Sequence, residues 1–305
     1  MDRPYAGAAD LQRMEASVAR AYSSTSLRVG DISWLSRDHS HRELSLDIRL
    51  WEDANGELIA WAYYRPNGEF NVFVAPHSGH VEDACLFDSL LAFVDASAQA
   101  SVAAGDPPVT LNTYAIDPTR STLDRSLAAA LERAGYEVDE ATETSGFLVR
   151  SLDDLPPATL PDGYHFASVS TPALLIGRVE AHRAAFAPSD LSVKRYERLQ
   201  RTVAYRSTLD RLAVTDAGEV VAFCTAWFDA DNASGLLEPV GTHPTHQRRG
   251  LARAVCLDAC HALRAIGARK AQVGYGSAAG FATYTSAGFR KTNDELTFSK
   301  AWRSG

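Results

Sequence analysis

A proline-rich stretch near the middle of the chain is the feature that most restricts how its 305 residues can fold. Residues 155–163 read Leu-Pro-Pro-Ala-Thr-Leu-Pro-Asp-Gly, and they follow the apolar run at residues 146–149. Proline lacks a backbone N–H, so such a stretch ends regular structure and is typical of a linker. The chain is long enough for two domains of about 150 residues. We therefore predict domains at residues 1–154 and 164–305, joined by a linker at 155–163.

The two halves repeat the same order of features. A glycine turn followed by an apolar, strand-like run occurs at residues 55–62 and again at 217–224. A second apolar run is closed by Pro76 in the first half and by Pro244 in the second, and each half later carries a short helix that ends in glycine. The offsets between corresponding residues are 162, 168 and 153. A shared order with drifting offsets predicts two copies of one fold rather than a short-period solenoid.

Hydrophobic periodicity predicts alternating helices and strands in the second half. Strands are predicted near residues 164–168, 211–216, 219–228, 271–274 and 289–302. Helices are predicted near residues 172–186, 191–204, 250–266 and 278–287. This order predicts an α/β (α+β) protein in which each domain is a mixed, largely antiparallel sheet flanked by helices.

The charge is distributed unevenly along the chain. Residues 1–155 carry 12 Arg and 25 Asp or Glu, whereas residues 156–305 carry 18 Lys or Arg and 13 Asp or Glu. The basic second half suits an anionic ligand, and the acidic first half argues against a nucleic-acid partner. A simple solubility bias explains the same asymmetry.

Other sequence features predict a cytoplasmic protein without a membrane segment or a metal site. No run of about 18 uncharged apolar residues occurs, and the N-terminus lacks the pattern of a signal peptide. The four cysteines are too few for a disulfide scaffold. Cys256 and Cys260 are four residues apart with only His261 nearby, so we expect buried free thiols.

The sharpest motif is Gln-Arg-Arg-Gly-Leu-Ala at residues 247–252, between a predicted strand and an amphipathic helix. The start of a helix exposes unpaired N–H groups and the positive end of the helix dipole. A glycine there lets a phosphate group approach the backbone closely, and two arginines add attraction for anions. Taken alone, the motif is equally compatible with a tight turn that only begins a helix.

This motif, following a strand that ends in His243-Pro244, resembles the coenzyme A pyrophosphate loop of the GNAT superfamily of N-acetyltransferases. The later run at residues 284–289 is similar to the closing Tyr-x-x-x-Gly-Phe helix of that superfamily. The whole chain, with residues 30–34 early and 238–244 late, is similar to a bacterial group that carries two such domains in tandem. The resemblance implies that acetyl-CoA is bound by Val240, Gly241, Thr242, Gln247, Arg248, Arg249, Gly250, Leu251 and Ala252.

One part of the superfamily pattern is absent. Many members have an asparagine just before the closing helix, where this chain has Gly-Ser-Ala at residues 276–278. The cofactor contact made by that asparagine is therefore not carried over to this chain.

The resemblance also implies a mechanism in which an amine attacks the thioester directly while both substrates are bound. Tyr284 occupies the general-acid position of the superfamily and would protonate the departing thiolate. Glu238 is the candidate base, because strand alternation puts it on the face of Val240 and Thr242; His243 is a weaker alternative. The alternative, non-catalytic interpretation is that Tyr284 is a packed helix tyrosine and that Glu238 is a surface or salt-bridged glutamate.

The first copy departs from this pattern at two important positions. When Pro76 is aligned with Pro244, Glu82 falls where Gly250 stands, and a carboxylate there would repel a phosphate. Leu131 takes the place of Tyr284. We therefore predict a degenerate first copy that has lost coenzyme A binding and serves a structural role or walls the substrate cleft.

These observations predict an enzyme that moves an acetyl group from acetyl-CoA to the primary amine of a small molecule. A transferase that uses a longer acyl-CoA and a non-catalytic acyl-CoA-binding protein are the alternatives. The expected partner is the small-molecule amine, with no nucleic acid and no membrane, and the protein is expected to be a monomer or a homodimer.

Overall fold

The computed structural model describes residues 1–36, 47–139 and 145–301. The helices are α1 (Ala8–Arg20), α2 (Val29–Leu35), α3 (Ala84–Ala103), α4 (Thr122–Arg133), α5 (Pro172–Ala185), α6 (Val193–Leu199), α7 (Leu251–Ala265) and α8 (Ala278–Ser286). The strands are β1 (Asp2–Pro4), β2 (Ile48–Glu52), β3 (Leu58–Tyr64), β4 (Phe70–Val74), β5 (Thr110–Ile116), β6 (Glu137–Val138), β7 (Ser145–Ser151), β8 (Tyr164–Ser168), β9 (Asp210–Thr215), β10 (Val220–Asp229), β11 (Ser234–Thr242), β12 (Lys270–Tyr275) and β13 (Arg290–Ala301).

The described residues pack as two compact units. Unit 1 takes its described residues from 1–27, 39–145 and 294–305, and unit 2 takes them from 28–38 and 146–293. Helix α2 thus belongs to unit 2, and most of β13 belongs to unit 1. These packing units are not the same as the two sequence domains, whose boundaries stay a prediction about the two copies of the fold.

Unit 1 is built on an antiparallel sheet in the order β1-β2-β3-β4. The indole N–H of Trp61 on β3 donates to Ser17 on α1 at 3.2 Å, and that of Trp51 on β2 donates to Ser89 on α3 at 3.1 Å. Because Trp51 pairs with Ala60, the neighbour of Trp61, the two indoles point to opposite faces. The sheet therefore lies between α1 and α3, and β13 forms separate antiparallel pairs with β5 and β6.

One described helix, α3, is long and apolar enough by composition to cross a membrane, with a mean hydropathy of 1.2. The core helix of a soluble domain passes the same test. Helix α3 packs against β3 and α4, and its residues Leu90, Leu91 and Val94 are buried. Its apolar character is explained by this packing, so it is weak evidence for a membrane span.

Asp124 in unit 1 gives a test of how burial affects stability. Burial raises the pKa of Asp124 from 3.8 to about 7, although the nearby Arg120 guanidinium opposes the shift. A group with a raised folded-state pKa destabilises the fold increasingly as pH rises from about 4 to 7. We expect Asp124→Asn to increase the free energy of unfolding by roughly 1–3 kcal/mol at pH 8 and much less at pH 5. Urea denaturation at both pH values measures this, with the exposed Asp88→Asn as a control that should show no such pH dependence.

Unit 2 contains the larger continuous sheet, in the order β7-β12-β11-β10-β9-β8, in which β11 and β12 are parallel and the other described pairs are antiparallel. The guanidinium of Arg178 on α5 lies 3.6 Å from the ring centre of Phe223. The next residue of β10, Cys224, lies in the buried core together with Cys256 on α7. Since neighbouring side chains alternate along a strand, α5 and α7 cover opposite faces of the sheet.

The predicted linker has no regular secondary structure, but it is packed onto unit 2. Leu155, Ala158 and Leu160 contact the core formed by α7 and the sheet. The imidazole Nε2 of His261 lies 2.9 Å from the backbone oxygen of Pro156. The stretch at residues 155–163 therefore covers part of the core of unit 2 before β8 begins.

The predicted α/β class, with largely antiparallel sheets flanked by helices, is confirmed. The predicted helix near residues 191–204 is shorter than expected and ends at Leu199. The hydroxyl of Thr202 donates to the backbone oxygen of Leu199 at 2.8 Å, which gives that carbonyl a partner outside the helix. Tyr205 then turns inward and donates to Asp210 at 2.9 Å.

Candidate active site

The candidate site lies where two central strands of unit 2 separate. Strands β11 and β12 pair only at Ser234–Leu236 with Lys270–Gln272. Beyond these residues β11 continues along β10 to Thr242, and β12 continues along β7 to Tyr275. Within the described chain no pairing joins the two strands past this point. The facing edges therefore present backbone N–H and C=O groups that a ligand can pair with.

Glu238 is half-buried on β11 just past the separation. The indole N–H of Trp227 donates to the backbone oxygen of Glu238 at 2.6 Å. The register of β10 against β11 shifts between Cys224 and Ala226, and both Leu237 and Val240 contact the core under α7. The simple alternation that predicts one face for Glu238 and Val240 does not hold at this bulge.

Glu238 lies near enough to Asp31 on α2 for its charge to act on the Asp31 carboxyl. Burial raises the pKa of Asp31 well above its usual range, and the charge of Glu238 raises it further. The backbone N–H of Arg28 donates to Asp31 at 2.6 Å and opposes that shift.

Tyr284 on α8 is buried, with 8% of its surface exposed. Burial raises the pKa of its phenol well above 10, and the Cys256 and Cys224 thiols and Glu238 raise it further. Within the described residues the hydroxyl has no hydrogen-bond partner. The structure thus brings Tyr284 and Glu238 close enough to interact electrostatically, with the phenol protonated at neutral pH.

The loop before α7 is exposed and open. Gly250 has a φ of 80°, a conformation that favours glycine, and a Cβ added there would meet no atom within 4 Å. No side chain of the described residues caps the first turn of α7. The N–H groups of that turn and the helix dipole are therefore available to an anion.

The two arginines of this loop differ in their surroundings. Arg249 donates to the hydroxyl of Tyr164 at 2.7 Å and to the backbone oxygen of Thr245 at 3.4 Å. Arg248 is exposed, has a φ of 64° and makes no polar contact with the described residues. Of the two arginines, Arg248 is thus the one whose guanidinium is available to bind a ligand.

The other predicted cofactor residues lie along one path. Val240, Gly241 and Thr242 form the half-buried end of β11. Gln247, Arg248, Arg249 and Gly250 follow on the exposed loop, and Leu251 and Ala252 begin α7, buried and half-buried respectively. Ser277, where the superfamily pattern has an asparagine nearby, caps α8 by accepting from the backbone N–H of Gly280 at 3.2 Å.

The corresponding helix start in unit 1 is closed by its own side chain. Asp83 caps α3 and accepts from the backbone N–H of Leu86 at 3.2 Å. Glu82 precedes it, so two carboxylates stand where an anion would have to bind. Leu131 on α4 is buried and carries no proton donor. This geometry supports the prediction that the first copy has lost coenzyme A binding.

His243, the alternative base, is engaged in a local turn. Its Nδ1 lies 2.8 Å from the hydroxyl of Thr245. It lines an open cleft of about 390 Å³ together with residues of α5 and of the β9–β10 turn, and neither Glu238 nor Tyr284 lines that cleft.

A buried polar network in unit 2 was not predicted from the sequence. Asp210 accepts hydrogen bonds from Tyr196 at 2.5 Å, Tyr205 at 2.9 Å and Thr225 at 2.9 Å, and it pairs with the fully buried Arg178 at 3.3 Å. The network ties α5 and α6 to β9 and β10. The residues of this network are not regularly spaced in the sequence, so no local sequence pattern could have predicted it.

The described residues contain no group of three His, Cys, Asp or Glu side chains that could hold a metal ion. Cys224, Cys256 and Cys260 are buried free thiols, and Cys85 is an exposed one.

Comparison with known proteins finds a match to one family in part of the sequence and a similarity to solved structures of one fold. Residues 178–289 match the family described as Acetyltransferase (GNAT) family. Among curated proteins none matches the chain by sequence. The structure is similar to a GCN5-related N-acetyltransferase from Sphaerobacter thermophilus, with 22% identity, a TM-score of 0.66, and coverage of 100% of this chain and 96% of that chain.

Two further structures are similar over nearly their whole length. A tandem GNAT protein from the clavulanic acid biosynthesis pathway has 13% identity, a TM-score of 0.66, and coverage of 100% of this chain and 99% of that chain. A GNAT-family acetyltransferase from Colwellia psychrerythraea has 14% identity, a TM-score of 0.57, and coverage of 98% and 99%. At these identities the similarity shows the fold, and it confirms the predicted tandem arrangement of two GNAT-like domains.

Proposed function

We propose that this chain, whose residues 178–289 match the GNAT acetyltransferase family, transfers an acetyl group from acetyl-CoA to the primary amine of a small molecule. The observation that carries this proposal is the separation of β11 from β12 beside Glu238 and Tyr284. A thioester held in that cleft would have a carboxyl group and a protonated phenol near it. Holding both substrates in one cleft supplies most of the rate enhancement.

The donor would be held from its phosphate end. The uncapped first turn of α7 and the free Arg248 suit the pyrophosphate of acetyl-CoA. The unpaired edge of β11 would hold the acyl end, and a backbone N–H near Val240 or Thr242 would stabilise the negative charge on the carbonyl oxygen. The closed helix start of α3 supports a single binding site per chain.

The transfer would then proceed in one ternary complex. The amine nitrogen attacks the thioester carbon, the C–N bond forms, and the C–S bond breaks with its electron pair on sulfur. Tyr284 donates its proton to the thiolate and recovers one from solvent. An ammonium substrate gives up two protons on becoming an amide. Glu238 would accept the first of them before the attack, directly or through water, and the second would leave the nitrogen for solvent once the C–N bond has formed.

Two alternatives remain as proposals for the same cleft. A transferase could use a longer acyl-CoA, or the domain could bind an acyl-CoA without catalysis. The protonated Tyr284 favours a transferase, because a domain that only binds an acyl-CoA needs no proton donor for a thiolate. Thiol release measured with acetyl-CoA and with longer acyl-CoAs tests both alternatives. A higher kcat/KM for a longer acyl-CoA than for acetyl-CoA would identify the first alternative, and the absence of turnover with all of them would identify the second.

A Glu238→Gln variant tests the proposed base. We expect kcat/KM to fall by about 30-fold at a pH well below the pKa of the amine, because the ammonium then needs a base. The defect should shrink as pH approaches the pKa of the amine, where free amine is abundant. Glu219→Gln, an exposed change in the same unit, is the matched control and should leave the pH–rate profile unchanged. Profiles for wild type and Glu238→Gln that differ by one constant factor would rule out the base role.

A further inference from the structure

Strand β11 bulges immediately after it separates from β12. Thr225 of β10 lies between the two residues that pair with Leu237 and Val240 of β11. It therefore stands opposite two residues, Glu238 and Pro239, which is the two-against-one arrangement of a β-bulge. A bulge interrupts the ladder of backbone hydrogen bonds, and Pro239 brings no N–H to it. The backbone groups at this point therefore need partners other than the neighbouring strand.

The indole of Trp227 on β10 supplies such a partner. Its N–H donates to the backbone oxygen of Glu238 at 2.6 Å, and the side chain of Trp227 is only 1% exposed. Trp227 itself pairs with Leu236, which is the last residue of β11 that also pairs with β12. One residue of β10 thus joins the end of the paired region to the beginning of the open cleft.

The Trp227 ring is held by neighbours from two further segments of unit 2. A Cβ added at Gly30 on α2 would collide with the ring, so the backbone of that helix lies directly against it. The ring of Tyr205 meets it edge-on, with the centroids 6.3 Å apart. The hydroxyl of Tyr205 donates in turn to Asp210 at 2.9 Å. Close packing on these sides keeps the indole in one orientation, with its N–H towards Glu238.

The residue opposite the bulge is fixed by the same buried carboxylate. The hydroxyl of Thr225 donates to Asp210 at 2.9 Å and accepts from Arg178 at 3.0 Å. Arg178 and Asp210 are both fully buried. Thr225 is therefore tied to Asp210 directly, and Trp227 is tied to it through Tyr205. The buried network thus sets the shape of the bulge from the side of β10.

We propose that Trp227 is a positioning residue of the proposed transferase, because its indole fixes the bulge that presents Glu238 and the backbone N–H groups after it to the cleft. This inference rests on the function proposed above. The indole N–H is already bonded to the backbone oxygen of Glu238, so Trp227 acts through the backbone of β11 and takes no part in the proton transfers.

Loss of the indole N–H should affect the rate more than the binding of the donor. The backbone oxygen of Glu238 would lose its partner and the bulge would relax. A displacement of about 1 Å at reacting groups costs about 100-fold in rate. The phosphates of acetyl-CoA would be held by a different segment, the loop at residues 247–250, which keeps its own conformation.

The Trp227→Phe variant tests this inference, because it keeps an aromatic ring beside Gly30 and Tyr205 and removes the donor. We expect kcat to fall by about 10- to 100-fold and acetyl-CoA affinity to change by less than about twofold. Trp61→Phe is the matched control in unit 1. Trp61 is fully buried, and its indole N–H donates to Ser17 at 3.2 Å. Its loss should leave kcat unchanged, as thiol-release kinetics and calorimetry measure.

A second variant moves the indole without removing it. Gly30→Ala places a methyl group against the Trp227 ring, and we expect it to lower kcat in the same way while acetyl-CoA affinity is retained. Gly177→Ala on α5 is the control, because its Cβ would crowd Val220, 2.8 Å away, in the same unit. It should change kcat by less than about threefold. Gly30→Ala decides the question if Trp227→Phe does not fold.

A measurement independent of turnover completes the test. In nuclear magnetic resonance spectra of the whole ¹⁵N-labelled protein, the Trp227 indole N–H should exchange slowly with solvent. Trp227→Phe should shift the backbone amide signals of Glu238 and Val240 and leave that of Gly250 in place. A folded Trp227→Phe or Gly30→Ala variant with wild-type kcat overturns the inference, and so do unmoved amide signals at Glu238 and Val240. A wild-type protein that shows the protected indole but transfers no acyl group contradicts the proposed function and leaves the contact between Trp227 and Glu238 standing.

Discussion

The Gly250→Glu variant is expected to lose acetyl-CoA affinity by about 100-fold or more. The new carboxylate would stand at the uncapped start of α7, where a pyrophosphate would otherwise meet free N–H groups. It would also repel the phosphates, since two unit charges about 4 Å apart near a protein surface interact by about 4 kcal/mol. Isothermal titration calorimetry measures the affinity and the number of sites, which we expect to be one per chain.

Two control variants separate charge from backbone strain. Gly250→Ala adds only a Cβ at a φ of 80° into free space, and we expect a much smaller loss of affinity. Gly56→Glu places the same carboxylate at a φ of 79° in unit 1, also in free space, and should leave affinity unchanged. Two acetyl-CoA sites per chain, or an unchanged affinity of Gly250→Glu, would contradict the assignment of this loop.

The Tyr284→Phe variant is expected to lower kcat by about 100-fold while acetyl-CoA affinity stays nearly unchanged. The change removes only the hydroxyl, and the ring keeps its edge-on contact with Phe289, whose centroid is 6.5 Å away. Because burial keeps the pKa of Tyr284 well above 10, the wild-type phenol should remain a proton donor throughout the neutral range. Steady-state kinetics of thiol release, together with calorimetry, measure both quantities.

Tyr275→Phe is the matched control for Tyr284→Phe. Tyr275 is equally buried, belongs to the same core, and packs edge-on against Phe281 at 5.1 Å. We expect it to change kcat by less than threefold, an order-of-magnitude limit for a residue outside proton transfer. If Tyr284→Phe keeps the wild-type kcat, the tyrosine is a packing residue of α8 and the proton must reach sulfur by another route.

The elements with strong local patterns were predictable from the sequence. The apolar stripe that begins at Leu251 and the glycine before it predicted α7 to within about one residue, because both signals are local. The order of two similar halves predicted the tandem arrangement. The loop at residues 247–250 was identified for the same reason, since an anion site at a helix start depends on residues adjacent in the chain.

The proximity of Asp31 to Glu238 and the bulge in β11 could not be predicted in this way. Asp31 and Glu238 are distant in sequence, and only the packing of α2 in unit 2 brings them together. The shift of register after Cys224 broke the alternation on which the predicted face of Glu238 depended. Sequence periodicity describes one helix or strand at a time. It therefore shows neither which packing unit a segment joins nor where a strand bulges.

The most direct test of the proposed function is acetyl-CoA-dependent thiol release by the wild-type chain in the presence and absence of primary amines, with the products identified by mass spectrometry. We expect thiol release to require both substrates, to match the N-acetylated amine one to one, and to give intersecting initial-rate lines, as direct attack in a ternary complex demands. Thiol release that proceeds equally without amine and leaves an acetyl group on the protein would contradict the account.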